Sequence, residues 1–142
     1  GFRIMCYFSN QVKFRLFPEY IMPHQCTHIV YAVAYTKGLG LSHVEWSDLP
    51  FRKFQGMYER VVGIKNKNPD LKVLLAVASS PSSTGDPYVS IQSSQVTRQT
   101  FAQNVVVFLR RHGFDGVEIS WKYPDVHSPP ITNKEKFALI FK

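Results

Sequence analysis

The sequence predicts an α/β fold built on a parallel sheet. Two short apolar runs, Thr27 to Ala34 and Lys72 to Ala78, are typical of buried strands, and each is followed by a segment with helical periodicity. Parallel strands need long crossover connections, which such helices supply. The order of elements leaves open whether the sheet is doubly wound or closed into a barrel.

Four strands and three helices are expected in chain order. The strands are Arg3 to Phe8, Thr27 to Ala34, Lys72 to Ala78 and Gly116 to Lys122, and the helices are Asp48 to Asn66, Gln95 to His112 and Asn133 to Phe141. We expect Ser47 or Asp48 to cap the first helix and Gly113 to end the second. Residues 9 to 25 are expected to be irregular or a short helix, and residues 79 to 92 a loop.

The first two predicted helices each have one apolar face. In the first helix this face comprises Phe54, Met57, Val61 and Ile64, and in the second Phe101, Val105, Phe108 and Leu109. Residues at this spacing lie on one side of a helix and are expected to pack against the sheet. Arg110 and Arg111 near the end of the second helix suit the negative end of its dipole.

Composition and charge restrict the class of protein. The chain has 142 residues, 44% of them hydrophobic, which suffices for one domain with a core. The net charge of +7 is interpreted as solvated helix faces and loop ends, the alternative being an anionic partner such as a sulfated glycan. Basic and aromatic residues do not alternate as in nucleic-acid-binding modules, so no nucleic acid is expected. No run of eighteen apolar residues occurs, so no membrane span is expected.

Two cysteines and the start of the chain bear on localisation. Cys6 and Cys26 suit one disulfide in an oxidising compartment, the alternative being two buried thiols. The chain begins almost directly on an apolar strand, as a secreted protein does after removal of its leader. We therefore expect a secreted, extracellular protein.

The fourth predicted strand alternates between apolar and polar residues. One face carries Val117, Ile119 and Trp121, and the other carries Glu118, Ser120 and Lys122. A parallel strand is normally apolar on both faces, so the polar face indicates a barrel interior or a site. The alternative is an edge strand with one solvated face.

Four segments resemble the glycoside hydrolase family 18, the chitinases and chitinase-like proteins. They are C-Y-F-S-N from Cys6, C-T-H-I-V-Y-A from Cys26, N-K-N-P-D-L-K-V-L-L-A from Asn66 and F-D-G-V-E-I-S-W-K-Y-P from Phe114. The resemblance implies a single domain over residues 1–142 and a (β/α)8 TIM barrel of which the chain covers about the first four β/α units. It also implies a disulfide between Cys6 and Cys26.

The catalytic motif of that family is degenerate here. The family pattern is D-G-x-D-x-D-W-E-Y-P, and its acidic positions are occupied by Asp115, Glu118, Ser120 and Lys122. The resemblance implies that the final Glu protonates the glycosidic oxygen and that the preceding Asp orients the N-acetyl group of the substrate, a route that differs from the two-carboxylate scheme. Neither residue is present, because Lys122 and Ser120 stand in their places.

Lysine is a poor replacement for the acid. Its ordinary pKa of about 10.4 means that it gives up a proton reluctantly. Its charge would also repel the positive charge that develops on the reacting sugar, by about 4 kcal/mol at 4 Å and an effective dielectric of 20. With Lys122 in the acid position, the sequence predicts a protein that is not an enzyme of the chitinase type.

Several aromatic residues on which the family stacks sugars are also replaced. Ala78-Ser79-Ser80 stands for a G-G-W segment, Gln11 for a Trp on the first strand and Val33 for a Phe on the second. The aromatic residues that remain as candidate ligand-binding residues are Tyr7, Trp121 and Tyr123. The alternative for these three is packing within the scaffold, which we prefer for Trp121.

These observations predict a non-catalytic, secreted chitinase-like protein. Its expected partner is a glycan, either a chitooligosaccharide or a sulfated glycan, or else the extracellular matrix or an extracellular protein. The alternative is a structural or assembly component without a carbohydrate ligand, and an enzyme with altered chemistry is disfavoured. No cofactor and no metal are expected, because the five histidines lack metal-ligand spacing. Since a barrel needs about 250 residues, the chain is expected to belong to a longer one or to be completed by a partner.

Overall fold

A curled sheet with helices on one side organises the chain in a computed structural model, which describes residues 1–9, 16–80 and 87–120. Within these ranges the strands are β1 (Met5–Ser9), β2 (His28–Lys37), β3 (Gly40–Ser42), β4 (Lys72–Ala78) and β5 (Gly116–Ile119). The strand order is β1-β2-β4-β5 with all neighbours parallel, and β3 pairs antiparallel with β2. The predicted parallel sheet is confirmed.

The strand predictions hold with shifts at their ends. The third predicted strand has the predicted bounds, whereas β2 runs three residues further than expected, to Lys37. The chain turns at Gly38, whose φ of 55° is in the left-handed region, and returns as β3, which was not predicted. The fourth predicted strand is seen as Gly116–Ile119, and the predicted helix from Asn133 to Phe141 lies outside the described residues.

The described α-helices are α1 (Met57–Gly63), α2 (Pro87–Gln92) and α3 (Gln95–His112). The predicted bounds of α3 are confirmed, because its end signals are local. Ser94 accepts a hydrogen bond from the Thr97 N–H at 3.1 Å, and Gly113 ends the helix with a φ of 80°. Helix α2 corrects the prediction of a loop over residues 79 to 92, since its six residues are helical.

The start of α1 was predicted wrongly. Asp48 belongs to a separate 3-10 turn and does not cap the helix, because its buried carboxylate accepts hydrogen bonds from the Tyr31 hydroxyl and the Glu45 N–H. The helix begins after Gly56, which packs so closely on this turn that a Cβ there would lie 2.5 Å from the Asp48 carbonyl oxygen. Phe54 is accordingly 73% exposed rather than part of the helix face.

The hydrophobic core lies between the sheet and the helices. Its largest members are Tyr31, Tyr58, Tyr88, Phe101, Phe114, Ile29, Leu71, Leu75 and Ile91, all less than 2% exposed or at that limit. A disulfide joins Cys6 on β1 to Cys26 just before β2, with a Cα–Cα distance of 6.0 Å, so the predicted pairing is confirmed. The core and this crosslink fix the parallel strands on their outer side.

The inner face of the sheet, opposite the helices, is concave. Tyr7 on β1 and Glu118 on β5 both lie on this face, three strand positions apart. In a flat sheet their backbones would be about 14 Å apart. The Tyr7 Oη is nevertheless 2.8 Å from a Glu118 carboxylate oxygen, so the sheet curls toward this face as a sheet that closes into a barrel must.

Candidate functional site

The degenerate motif runs the length of β5 and beyond, so its positions fall at opposite ends of the sheet. Asp115 precedes the strand, Glu118 lies within it and Ser120 follows its last residue. Active sites of parallel barrels gather at the carboxyl ends of the strands. Ser120 therefore lies at the end where a site forms, and Asp115 lies at the opposite end. Lys122 lies outside the described residues.

Asp115 connects three parts of the scaffold. Its carboxylate accepts hydrogen bonds from the Lys65 ammonium at 2.7 and 2.8 Å and from the Val73 N–H at 2.8 Å. Partial burial acts to raise the pKa of Asp115, but these hydrogen bonds outweigh it and hold the pKa below its usual value. This motif carboxylate thus ties β5 to the start of β4 and to the segment after α1, at the end of the sheet opposite Ser120.

Glu118 and Tyr7 form the polar centre of the inner face. Tyr7 donates its hydroxyl hydrogen to Glu118, and this hydrogen bond to a carboxylate raises the pKa of Tyr7. Tyr7 lies on β1, at the edge of the described sheet. Within the described strands Glu118 is the one carboxylate residue.

Ser120 makes the last hydrogen bond between β4 and β5, at the carboxyl end of β5. Its N–H donates to the Val77 carbonyl at 2.8 Å, which continues the ladder between β4 and β5 by one residue. Its side chain is exposed, short and uncharged. At this position the structure therefore offers a neutral hydroxyl where the family motif has a carboxylate.

The neighbouring strand ends carry small side chains. Ala78 closes β4 and is followed by Ser79 and Ser80, all partly buried, and Val33 on β2 is also partly buried. No described residue at these positions offers an aromatic face. Gln11, Trp121 and Tyr123, the other positions considered for sugar stacking, lie outside the described residues.

The hydrogen bond between Tyr7 and Glu118 was not predicted from the sequence. Strand alternation places each residue on a polar or inward face, which is a signal that was available. Their contact depends on how strongly the sheet curls, which alternation does not reveal. Among the described residues, no three His, Cys, Asp or Glu side chains lie close enough together to hold a metal ion.

Comparison with known proteins identifies the family. The family model of the glycosyl hydrolases family 18 matches residues 3–142, and the chain therefore belongs to this family. It is 32% identical to mouse chitotriosidase-1 over 99% of this chain and 30% of that protein.

Solved structures of the family have the same fold. Catalytic domain 2 of the Group II chitinase of Ostrinia furnacalis superposes with a TM-score of 0.82 and 30% identity, over 98% of this chain and 38% of that one. Human YKL-39, described as a pseudo-chitinase with retained chitooligosaccharide binding properties, superposes with a TM-score of 0.77 and 27% identity, over 99% and 36%. These structures are TIM barrels, so the predicted fold class is confirmed.

The chain spans about 30% of the length of mouse chitotriosidase-1, and its parallel strands form part of such a barrel. The matching proteins include chitinases as well as a pseudo-chitinase, so family membership alone does not decide whether a member is catalytic. Among the described helices, none is long and apolar enough to cross a membrane.

Proposed function

We propose that this protein is a secreted, non-catalytic chitinase-like protein that binds a glycan at the carboxyl ends of its barrel strands. The observation that carries the proposal is the sequence that follows β5, in which Ser120 and Lys122 stand in place of the Asp and the Glu of the family motif. The disulfide between Cys6 and Cys26 supports an oxidising compartment and hence secretion.

The groups at this end of the strand do not supply the chemistry of hydrolysis. A neutral Ser120 hydroxyl gives little stabilisation to a positively charged intermediate, and a lysine at position 122 adds charge of the wrong sign. Glu118 is no substitute for the acid, because it stands four positions earlier in the sequence than the acid of the family motif. Its hydrogen bond to Tyr7 also holds it on the inner face.

Binding a sugar does not require the catalytic carboxylates, and the inner face of the sheet has two side chains that can contact a sugar. The ring of Tyr7 would offer an apolar surface on which a sugar ring can stack, and the Glu118 carboxylate to which it is hydrogen-bonded would accept hydrogen bonds from sugar hydroxyls. Human YKL-39, a pseudo-chitinase with retained chitooligosaccharide binding properties, is a related protein in which sugar binding persists without catalysis, and this supports the proposal.

Calorimetric titration with chitopentaose tests the proposal on protein expressed from its complete coding sequence. We expect saturable binding, and mass spectrometry of the same mixture should find the oligomer intact. Tyr7→Ala should weaken binding about tenfold, whereas Tyr20→Ala, which removes a tyrosine that is 72% exposed but lies outside the strands, should leave it unchanged. Shortened oligomers would refute the non-catalytic assignment, and equal loss in both variants would refute the binding site.

A structural or assembly role is the second candidate. It is favoured by the small side chains of Ala78, Ser79 and Ser80, which leave the end of β4 without an aromatic platform. In this case the titration would show no heat of binding with any glycan, and sedimentation of the native protein would find it in a complex with another protein.

A further inference from the structure

A tight turn carries two cationic residues, Arg52 and Lys53, between Phe51 and Phe54 in the sequence. Phe51 and Phe54 exchange backbone hydrogen bonds, N to O at 3.0 and 2.9 Å, and so enclose a two-residue turn. Arg52, its first central residue, has a φ of 53°. Glycine usually fills this place in such turns, because a side chain in the left-handed region is strained. The fold therefore holds Arg52 in an unfavourable conformation at an exposed tip.

The aromatic side chains around this turn are unusually exposed. Trp46 is 63% exposed, Phe51 50% and Phe54 73%. The Trp46 and Phe51 rings meet edge to face with centroids 5.7 Å apart, which sets the indole at a fixed angle beside the turn. Together with Phe17, Leu49 and Lys53 they line an open cleft of about 390 Å³. Exposed apolar clusters of this kind mark binding surfaces.

The charged side chains that line this cleft are Lys53 and Arg60, and Arg52 lies beside the cleft on the same turn. The Arg52 guanidinium lies 5.3 Å from the centre of the Phe51 ring, and Lys53 lines the cleft itself. Among the described residues neither cation has an ion-pair partner. Arg60, by contrast, is neutralised by Glu19 through two bonds of 2.7 Å. No acidic residue lines the cleft.

We propose that this cleft, formed by the turn from Phe51 to Phe54 and Trp46, binds a sulfated polysaccharide. Sugar rings would lie on the exposed faces of Trp46 and Phe54, and sulfate groups would pair with Arg52 and Lys53. A cleft of this volume has the size of a site for a small ligand or a short stretch of polymer. The aromatic faces favour a ring-bearing polyanion over an acidic peptide. The site is independent of glycan binding on the inner face.

Titration with heparin oligosaccharides tests the proposal on protein expressed from its complete coding sequence. The double variant Arg52→Ala/Lys53→Ala should bind at least tenfold more weakly than the unaltered protein. Arg110→Ala/Arg111→Ala removes the same charge from the exposed end of α3 and should change affinity less than twofold. Equal weakening in both would show that the net charge alone attracts heparin and would overturn the proposal.

A separate variant tests the contribution of the Trp46 and Phe54 rings to heparin binding. Trp46→Ala/Phe54→Ala leaves the charge unchanged and should still weaken heparin binding about fivefold or more. Poly-glutamate of matched charge should bind much more weakly than heparin. If poly-glutamate bound as well as heparin and the aromatic variant retained full affinity, the cleft would be an acidic-protein site and the proposal would fail.

Arg52→Gly keeps the test valid even if other variants fold poorly. Glycine accepts the positive φ without strain, so this variant should melt at a higher temperature than the unaltered protein while binding heparin more weakly. A gain in stability together with undiminished binding would show that Arg52 is strained for a reason other than this ligand, and would contradict the proposal.

Discussion

At the scale of single residues, three positions of one motif have three different surroundings. Asp115 is held by Lys65 and by the backbone of β4, Glu118 is bonded to Tyr7, and Ser120 lies exposed at the strand end. The position that supports the scaffold retains its carboxylate, whereas Ser120 at the carboxyl end of β5 does not. The scaffold contacts of Asp115 and the substituted position Ser120 therefore lie at opposite ends of β5.

Asp115→Asn should lower the free energy of unfolding by about 1 kcal/mol at pH 7, because the pair with Lys65 is partly exposed and the amide oxygen still accepts from the backbone. The folded-state pKa of Asp115 is lowered. Its contribution is therefore present above the unfolded pKa of about 3.9 and is lost as the pH falls through the lower folded value.

Urea unfolding at pH 7 and at a series of lower pH values measures this effect. The difference between the unaltered protein and Asp115→Asn should shrink below about pH 4. Asp70→Asn, on an exposed turn, serves as the control and should cost little at any pH. A difference for Asp115→Asn that persists unchanged in acid would contradict the ion-pair account.

At the scale of elements, helices and strands whose ends are set by neighbouring residues were predicted correctly, whereas those whose ends depend on contacts between distant segments were not. The bounds of α3 were predicted because Ser94, the apolar spacing and Gly113 are all signals within the helix and its ends. The start of α1 was missed because Gly56 packs against the turn at Asp48, a contact between separate segments. Strand β3 was missed for a similar reason, since three residues carry no periodicity and their pairing with β2 is tertiary.

Gly56→Ala should destabilise the protein by about 2 kcal/mol, since its Cβ would clash with backbone atoms of Asp48, Leu49 and Pro50 at 2.5 to 2.7 Å. Gly63→Ala, at the last residue of α1, is the matched control for Gly56→Ala, just before its first. A Cβ there has no atom within 4 Å, and replacing a helical glycine should raise stability by about 0.5 kcal/mol. Thermal unfolding of both variants measures these changes in stability. Changes of the same sign in the two variants would contradict the proposed packing at Gly56.

At the scale of the whole molecule, the barrel was predicted from a resemblance and not from the order of elements alone. Periodicity predicted parallel strands, but the curl that brings Tyr7 to Glu118 is a property of the assembled sheet. The substitutions at Ser120 and Lys122 are visible in the sequence, whereas the contacts of Asp115 with Lys65 and Val73 depend on the fold. Sequence alone also gave no sign that the turn at Arg52 is strained.

Replacing both Cys6 and Cys26 by Ser should lower the free energy of unfolding by about 3 kcal/mol, because the disulfide closes a loop of 20 residues and restricts the unfolded chain. Urea unfolding with and without a reductant measures the effect. The reductant should destabilise the unaltered protein and leave the double variant unchanged. Equal sensitivity of both proteins to the reductant would show that the crosslink does not contribute.

Turnover of a fluorogenic chitooligosaccharide tests the central claim most directly. The rate should be compared between the protein expressed from its complete coding sequence and its Lys122→Ala variant, each purified in the same way. We predict that neither protein releases the fluorophore faster than buffer does, because positions 120 and 122 lack the carboxylates that the reaction uses. Release by the unaltered protein that Lys122→Ala abolishes would contradict the account.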